Sequence, residues 1–147
     1  MTNYRKILLA TDFSQFVNRT AERAAAMAER FGGELSVLHV VEPLPMTDPA
    51  YGGIFPLDFD LAGQLLEAAQ TRLATLAENL GIPKDLQWVE VGNPKVEIVR
   101  MAAEKAVDLI VIGTHGRHGI GLLLGSTAAS VIHHANCDVL TVRLQDG

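Results

Sequence analysis

A glycine-rich segment near the C-terminus contains the residue types best suited to bind phosphate. Five of the 13 glycines fall between Gly113 and Gly125. Glycine lets the backbone approach a ligand closely, and successive exposed amides form an anion-binding nest. Gly125-Ser126-Thr127 then begins a predicted helix, whose free N–H groups and dipole also favour an anion. The glycines alone leave two alternatives open: a phosphate cradle, or a tight surface loop that leads into a helix.

Side chains in the same segment favour the phosphate cradle. Ser126 and Thr127 supply hydroxyl donors. Arg117 supplies a permanent positive charge, and His115 supplies a conditional one. We therefore predict an anion site built from the glycine segment and the helix that follows it.

Two well-known phosphate motifs do not fit the segment. Gly116 and Gly121 have Walker A spacing, but Leu122 stands where that motif has lysine. A dinucleotide-binding fingerprint would follow the first strand, and an acidic residue at the end of the next strand would bind the ribose. Here the glycines follow the fourth predicted strand, and Asp138 begins the fifth. The pattern therefore argues against a dehydrogenase.

Strands and helices alternate along the whole chain. Strands are predicted at Ile7–Ala10, Leu35–Val41, Leu86–Val91, Val107–Ile112 and Asp138–Arg143, and helices at Phe16–Phe31, Leu61–Leu80, Lys95–Lys105 and about Gly125–His134. The strand residues Leu109–Ile112 are apolar without alternation, which is typical of a parallel sheet covered on both faces. We predict one α/β domain over residues 1–147, a three-layer, doubly wound, Rossmann-like fold with a five-stranded parallel sheet.

The predicted strand order, 3-2-1-4-5, places a binding site between the first and fourth strands. Ligands of doubly wound sheets bind at the carboxyl ends of the strands, where the strand order reverses. The loop Thr11–Ser14 and the glycine segment would meet at that point. The stretch from Glu42 to about Asp60 reads as a long surface loop.

Composition narrows the classes of partner. The formal net charge of −5 argues against a nucleic-acid backbone. No apolar run approaches the roughly 18 residues of a membrane span. The single cysteine, Cys137, cannot form an internal disulfide, and with no signal peptide in the sequence the cytoplasm is expected. No Cys/His spacing resembles a zinc site, so we expect no metal held by protein ligands alone.

Taken together, these motifs resemble the universal stress protein family. The resemblance covers nearly the whole chain and is carried by Thr11-Asp12-Phe13-Ser14, His39-Val40, Gly113-Thr114-His115-Gly116, Gly125-Ser126, Pro94-x-x-x-Ile98 and Cys137-Asp138-Val139-Leu140. It implies the fold predicted above, a homodimer and, in one subgroup, binding of ATP or AMP. With ATP, Mg²⁺ is a plausible companion because it needs few protein ligands.

The resemblance also implies roles for individual residues. Asp12 would contact the ribose, and Val40 would contact adenine through its backbone. The phosphates would be held by Gly113, Gly116, Gly125 and Ser126, with Ala10, Thr11, His115, Arg117 and Thr127 completing the site. Ala10 stands where nucleotide-binding relatives often carry proline.

The glycine segment departs from the family motif in one respect. The motif of the nucleotide-binding members is Gly-x₂-Gly-x₉-Gly-Ser/Thr, whereas only the eight residues Arg117–Leu124 separate Gly116 from Gly125 here. Members that bind no nucleotide lack these glycines altogether. The sequence therefore favours a nucleotide-binding sensor or regulator, with a ligand-free dimeric interaction module as the alternative.

Neither a catalytic constellation nor a Mg²⁺-organising pair is present in the glycine segment. It holds no carboxylate to activate water and no Lys-Ser/Thr pair. We expect no enzymatic function beyond a slow, incidental hydrolysis of ATP.

The last strand is expected to form a homodimer. In the predicted order Val139-Leu140-Thr141-Val142 lies at an edge of the sheet, and an exposed apolar edge is prone to association. Pairing with the same strand of a second copy covers this edge with two-fold symmetry. On the sequence alone, proline at Val142 is expected to break the dimer.

Overall fold

The computed structural model describes residues 3–14, 17–43, 58–114 and 125–144, and for 58–60 it describes the backbone alone. The strands are β1 (Lys6–Thr11), β2 (Glu34–Val41), β3 (Gln87–Val91), β4 (Leu109–Gly113) and β5 (Asp138–Val142). The helices are α1 (Val17–Phe31), α2 (Asp58–Leu80), α3 (Pro94–Glu104) and α4 (Ser126–His134), and a 3₁₀ turn at Lys84–Leu86 precedes β3.

The five strands form one parallel sheet in the order β3-β2-β1-β4-β5, which confirms the predicted topology. The register places Thr11 of β1 beside His39 of β2, and Ala10 of β1 beside Ile112 of β4. The carboxyl ends of β1, β2 and β4 therefore lie side by side at one end of the sheet.

Helices cover both faces of the central strand. Ile7, Leu8 and Leu9 of β1 are fully buried. Because successive side chains of a strand point to opposite faces, Ile7 and Leu9 pack in one core and Leu8 in another. The first core includes Ala21, Ala24, Leu73 and Ala77 from α1 and α2, and the second includes Ile98, Met101 and Val131 from α3 and α4.

The start of β4 differs from the prediction because Asp108 does not join the strand. Its carboxylate accepts hydrogen bonds from the backbone amides of Arg5 (2.9 Å) and Lys6 (3.1 Å), and its own amide donates to the Lys6 carbonyl oxygen (2.9 Å). A residue predicted to lie within the fourth strand thus fixes the start of β1 instead. β4 begins at Leu109, two residues later than predicted.

Two further observations bear on the predicted elements. α2 begins at Asp58 rather than Leu61. Most of the long loop predicted from Glu42 to Asp60, residues 44–57, lies outside the described residues. Among the residues that the structure describes, no helix is long and apolar enough to span a membrane.

The end of β4 packs so closely that a side chain at residue 113 would force its neighbours to shift. A Cβ added to Gly113 would lie 2.6 Å from Leu144 Cδ1 and 3.2 Å from Thr20 Oγ1. Leu144 and Thr20 are themselves buried. The contact between β4, α1 and the segment after β5 therefore explains this glycine without any ligand.

We predict that Gly113→Ala lowers the free energy of unfolding by about 1–3 kcal/mol, because the added methyl group overpacks this contact. As a matched control, Gly63→Ala should raise it by about 0.5–1 kcal/mol, since Gly63 lies in α2 and a Cβ there meets no atom within 4 Å. Urea denaturation measures both changes. A Gly113→Ala variant as stable as the parent would contradict the packing argument.

Candidate functional site

The carboxyl ends of β1 and β2 are joined by a hydrogen bond from a histidine side chain. His39 is 6% exposed, and its Nδ1 donates to the Thr11 carbonyl oxygen over 2.7 Å. A buried polar group of this kind needs such a partner to offset its lost hydration. His39 is thus a buried, hydrogen-bonded residue that holds the end of β1.

The loop after β1 turns sharply around Asp12. Asp12 Oδ1 accepts a hydrogen bond from the Ser14 amide (3.0 Å), and Thr11 Oγ1 accepts one from the Phe13 amide (3.2 Å). The Ser14 carbonyl accepts from the Val17 amide (3.0 Å), where the chain enters α1. In the described part of the chain Asp12 Oδ2 accepts no hydrogen bond, so one carboxylate oxygen remains for a ligand.

Thr114 joins the end of β4 to two other elements. Its amide donates to the Val142 carbonyl (3.0 Å), and its Oγ1 accepts from the Leu144 amide (3.1 Å). Its carbonyl accepts from the Gly125 amide. The last bond brings the first turn of α4 to the end of β4, across the glycine segment.

Among the described residues, no side chain caps the N-terminus of α4. Gly125 occupies the N-cap position and has no side chain to accept from the first amides of the helix. Ser126 is exposed and Thr127 is half-buried. Backbone and hydroxyl donors are thus available at this end of the helix, and together with the helix dipole they suit an anion.

The structure places most of the predicted nucleotide-binding residues at the end of the sheet where the carboxyl ends of the strands lie. Ala10, Thr11, Asp12, Val40 and Gly113 lie at or next to the ends of β1, β2 and β4, and Gly125, Ser126 and Thr127 begin α4. His115, Gly116 and Arg117 lie outside the described residues. At Gly113, packing by itself disfavours any side chain, so this glycine has a structural reason that needs no ligand.

A stack of three side chains beside the Asp12 loop was not predicted. Phe13 has a φ of 58°, and its ring centroid lies 4.3 Å from that of His39. The Arg72 guanidinium carbon, from α2, lies 4.5 Å from the Phe13 centroid. No local motif indicates this contact, because Arg72 follows Phe13 by 59 positions.

The geometry of β5 changes how the predicted dimer edge should be tested. Val139, Leu140 and Thr141 are half-buried, but Val142 is 4% exposed and belongs to the core. In a parallel strand the N–H and C=O of one residue point to the same side, and the Val142 carbonyl bonds to the Thr114 amide of the β4 side. The backbone groups of Val139 and Thr141 therefore point to the open edge, and proline at Val142 would disrupt the sheet itself.

Within the described ranges, no group of three or more His, Cys, Asp or Glu side chains could hold a metal ion. Cys137 is half-buried; burial, and to a lesser extent Asp138 and Asp108, raise the pKa of its thiol. A thiol that stays protonated is a poor nucleophile, so Cys137 fits a structural role.

Comparison with known proteins agrees with this architecture. The family model described as the Universal stress protein family matches residues 3–143. Universal stress protein A homolog 2 of Coxiella burnetii is 42% identical over 146 residues, which cover 99% of each chain.

Two solved structures resemble the whole chain. The hypothetical protein MJ0577 has a TM-score of 0.81 and 28% identity, over 99% of this chain and 100% of that one. A universal stress protein solved in complex with cAMP has a TM-score of 0.61 and 26% identity, over 97% and 98% of the two chains. By sequence and by fold, this chain belongs to the universal stress protein family.

Proposed function

We propose that this universal stress protein binds an adenine nucleotide, ATP or AMP, and acts in the cytoplasm as a sensor or regulator of the stress response. The observation that carries the proposal is the placement of two complementary groups at the carboxyl-terminal end of the sheet. These are the Asp12 carboxylate, with an oxygen left for a ligand, and the N-terminus of α4, which no described side chain caps. A ribose hydroxyl suits the first, and a phosphate suits the second.

Each part of the nucleotide has a counterpart in this arrangement. Asp12 accepts from the ribose, and the backbone of Val40, at the end of β2, contacts adenine. The first amides of α4 and the hydroxyls of Ser126 and Thr127 hold phosphate, together with His115, Gly116 and Arg117 of the glycine segment. The relative solved with cAMP supports an adenine nucleotide as the class of ligand.

Mg²⁺ would enter with ATP rather than occupy a site of its own. The described residues offer no cluster of metal ligands. Mg²⁺ commonly keeps several waters and is bound largely through substrate phosphates. Its role here would be to neutralise the charge of the triphosphate.

We propose binding rather than catalysis as the function. The glycine segment, residues 113–125, contains no carboxylate that could orient or deprotonate an attacking water. Any hydrolysis of ATP would be slow and incidental to a regulatory role.

A dimeric interaction module that binds no nucleotide is the second candidate. The observation in its favour is the shortened spacing of eight residues between Gly116 and Gly125. Mass spectrometry of the protein purified under mild conditions discriminates between the two candidates, because adenine nucleotide carried through purification would favour nucleotide binding.

We predict that calorimetric titration of the purified protein with ATP, ADP, AMP and cAMP detects binding of at least one of them, and that Gly116→Val abolishes it. The valine side chain would close the backbone nest, and each charge-assisted phosphate contact that is lost costs about 1.5–3 kcal/mol.

The matched control is Gly63→Val, the same substitution in α2 at a position where a Cβ meets no atom within 4 Å. It should leave the affinity unchanged. Micromolar affinity retained by Gly116→Val would refute the site, and a parent protein that binds none of the four nucleotides would favour the interaction module.

We also propose that the protein forms a homodimer by pairing β5 with β5 of a second copy. β5 lies at one edge of the sheet, and the backbone groups of Val139 and Thr141 point outward from it. A two-fold pairing satisfies these groups in both copies at once.

Thr141→Pro should convert the dimer to monomer, because proline removes an outward-pointing N–H while the bonds between β4 and β5 remain. Size-exclusion chromatography with light scattering measures the change. The control is Val91→Pro on β3, the opposite edge strand: Val91 is 53% exposed, and the bond from the Gly92 amide to Val41 places the Val91 amide on the open side. A Thr141→Pro variant that stays dimeric would contradict pairing through β5.

A further inference from the structure

The backbone on both sides of Asp12 is held by side chains from other elements. On one side, the Thr11 carbonyl accepts a hydrogen bond from His39 of β2 (2.7 Å). On the other, the Phe13 carbonyl accepts one from Arg72 Nη2 of α2 (3.3 Å). These two contacts fix the backbone that carries Asp12, and the hydrogen bond from the Ser14 amide to Asp12 Oδ1 orients the carboxylate on it.

Phe13 needs such support because its backbone conformation is unfavourable for a bulky residue. Its φ of 58° lies in the left-handed region, which residues other than glycine, asparagine and aspartate seldom adopt. A residue held in this region persists only where its surroundings outweigh the strain, and such residues cluster at ligand sites. The conformation places the turn that presents Asp12 immediately after β1.

Arg72 contacts Phe13 in two ways at once. Its guanidinium lies 4.5 Å from the centroid of the Phe13 ring, as a cation–π pair, and it donates to the Phe13 carbonyl oxygen. The His39 ring packs against the same phenyl ring. Of these two partners, Arg72 is exposed and His39 is buried, so Arg72 is the one that can be replaced without disturbing the core.

We infer that Arg72 is a positioning residue for nucleotide binding: from α2 it holds Phe13 in the left-handed conformation and thereby aims the Asp12 carboxylate at the ribose. This inference rests on the proposed function. It gives α2, which carries none of the predicted nucleotide contacts, an indirect role in binding the ribose.

The experiment compares ATP with 2′,3′-dideoxy-ATP, which lacks the ribose hydroxyls that Asp12 would bind. The parent protein should prefer ATP by about tenfold, the value of one charge-assisted hydrogen bond, and Asp12→Ala should remove that preference. Arg72→Met, which keeps the apolar stem and loses the guanidinium, should weaken ATP binding by nearly the same factor. Its affinity for 2′,3′-dideoxy-ATP should not change.

Two controls separate positioning from other effects. Arg23→Met removes the same charge from another exposed arginine, on α1, and should leave both affinities unchanged. In the double variant Asp12→Ala with Arg72→Met, the loss of Arg72 should have no further effect on ATP, because the group that it positions is gone.

The outcomes distinguish this inference from the function on which it rests. A parent protein that binds neither nucleotide overturns both. If the parent prefers ATP and Asp12→Ala removes the preference, the site stands, and Arg72→Met variants that retain the preference overturn the role of Arg72 alone. Equal weakening of both nucleotides by Arg72→Met also overturns it, because loss of local structure or of long-range attraction to phosphate has that signature.

Discussion

The central strand β1 must be covered on both faces, and the site follows from that constraint. Residues 7–10 are at most 6% exposed, so helices have to lie above and below the sheet. Right-handed connections place α1 and α2 on one face and α3 and α4 on the other. The chain therefore leaves the ends of β1 and β4 towards opposite faces. This divergence of the chain at the two strand ends, where doubly wound sheets bind ligands, results from the same burial that stabilises the fold.

Much of the fold could be predicted because strands that are buried on both faces have unbroken runs of apolar residues. The unbroken apolar runs at Ile7–Ala10 and Leu109–Ile112 identify β1 and β4, and glycines at 32 and 81 mark the ends of two helices. The predicted start of the fourth strand was wrong at Asp108 for a physical reason. An acidic side chain beside an apolar run gives no sign of whether it faces solvent or, as here, accepts from backbone amides more than a hundred positions away.

The candidate site was predictable in its position but not in its internal contacts. Strand ends and a glycine segment point to the ends of β1 and β4, yet the pattern treats all the glycines alike. The structural reason for Gly113 lies in its contacts with Thr20 and Leu144, which come from distant parts of the chain. The contact of Arg72 with Phe13 is hidden for the same reason. The direction of each amide in β5 depends on its pairing with β4, which residue types alone do not encode.

The hydrogen bond between the Thr114 carbonyl and the Gly125 amide fixes the two described residues between which ten residues of the chain run. The entropy of closing such a loop varies only slowly with its length. One residue more or fewer between Thr114 and Gly125 therefore changes the entropic cost of holding β4 and α4 together only slightly. Residues 115–124 are thus the part of the chain beside the candidate site whose length and residue types can change at the least cost to the fold.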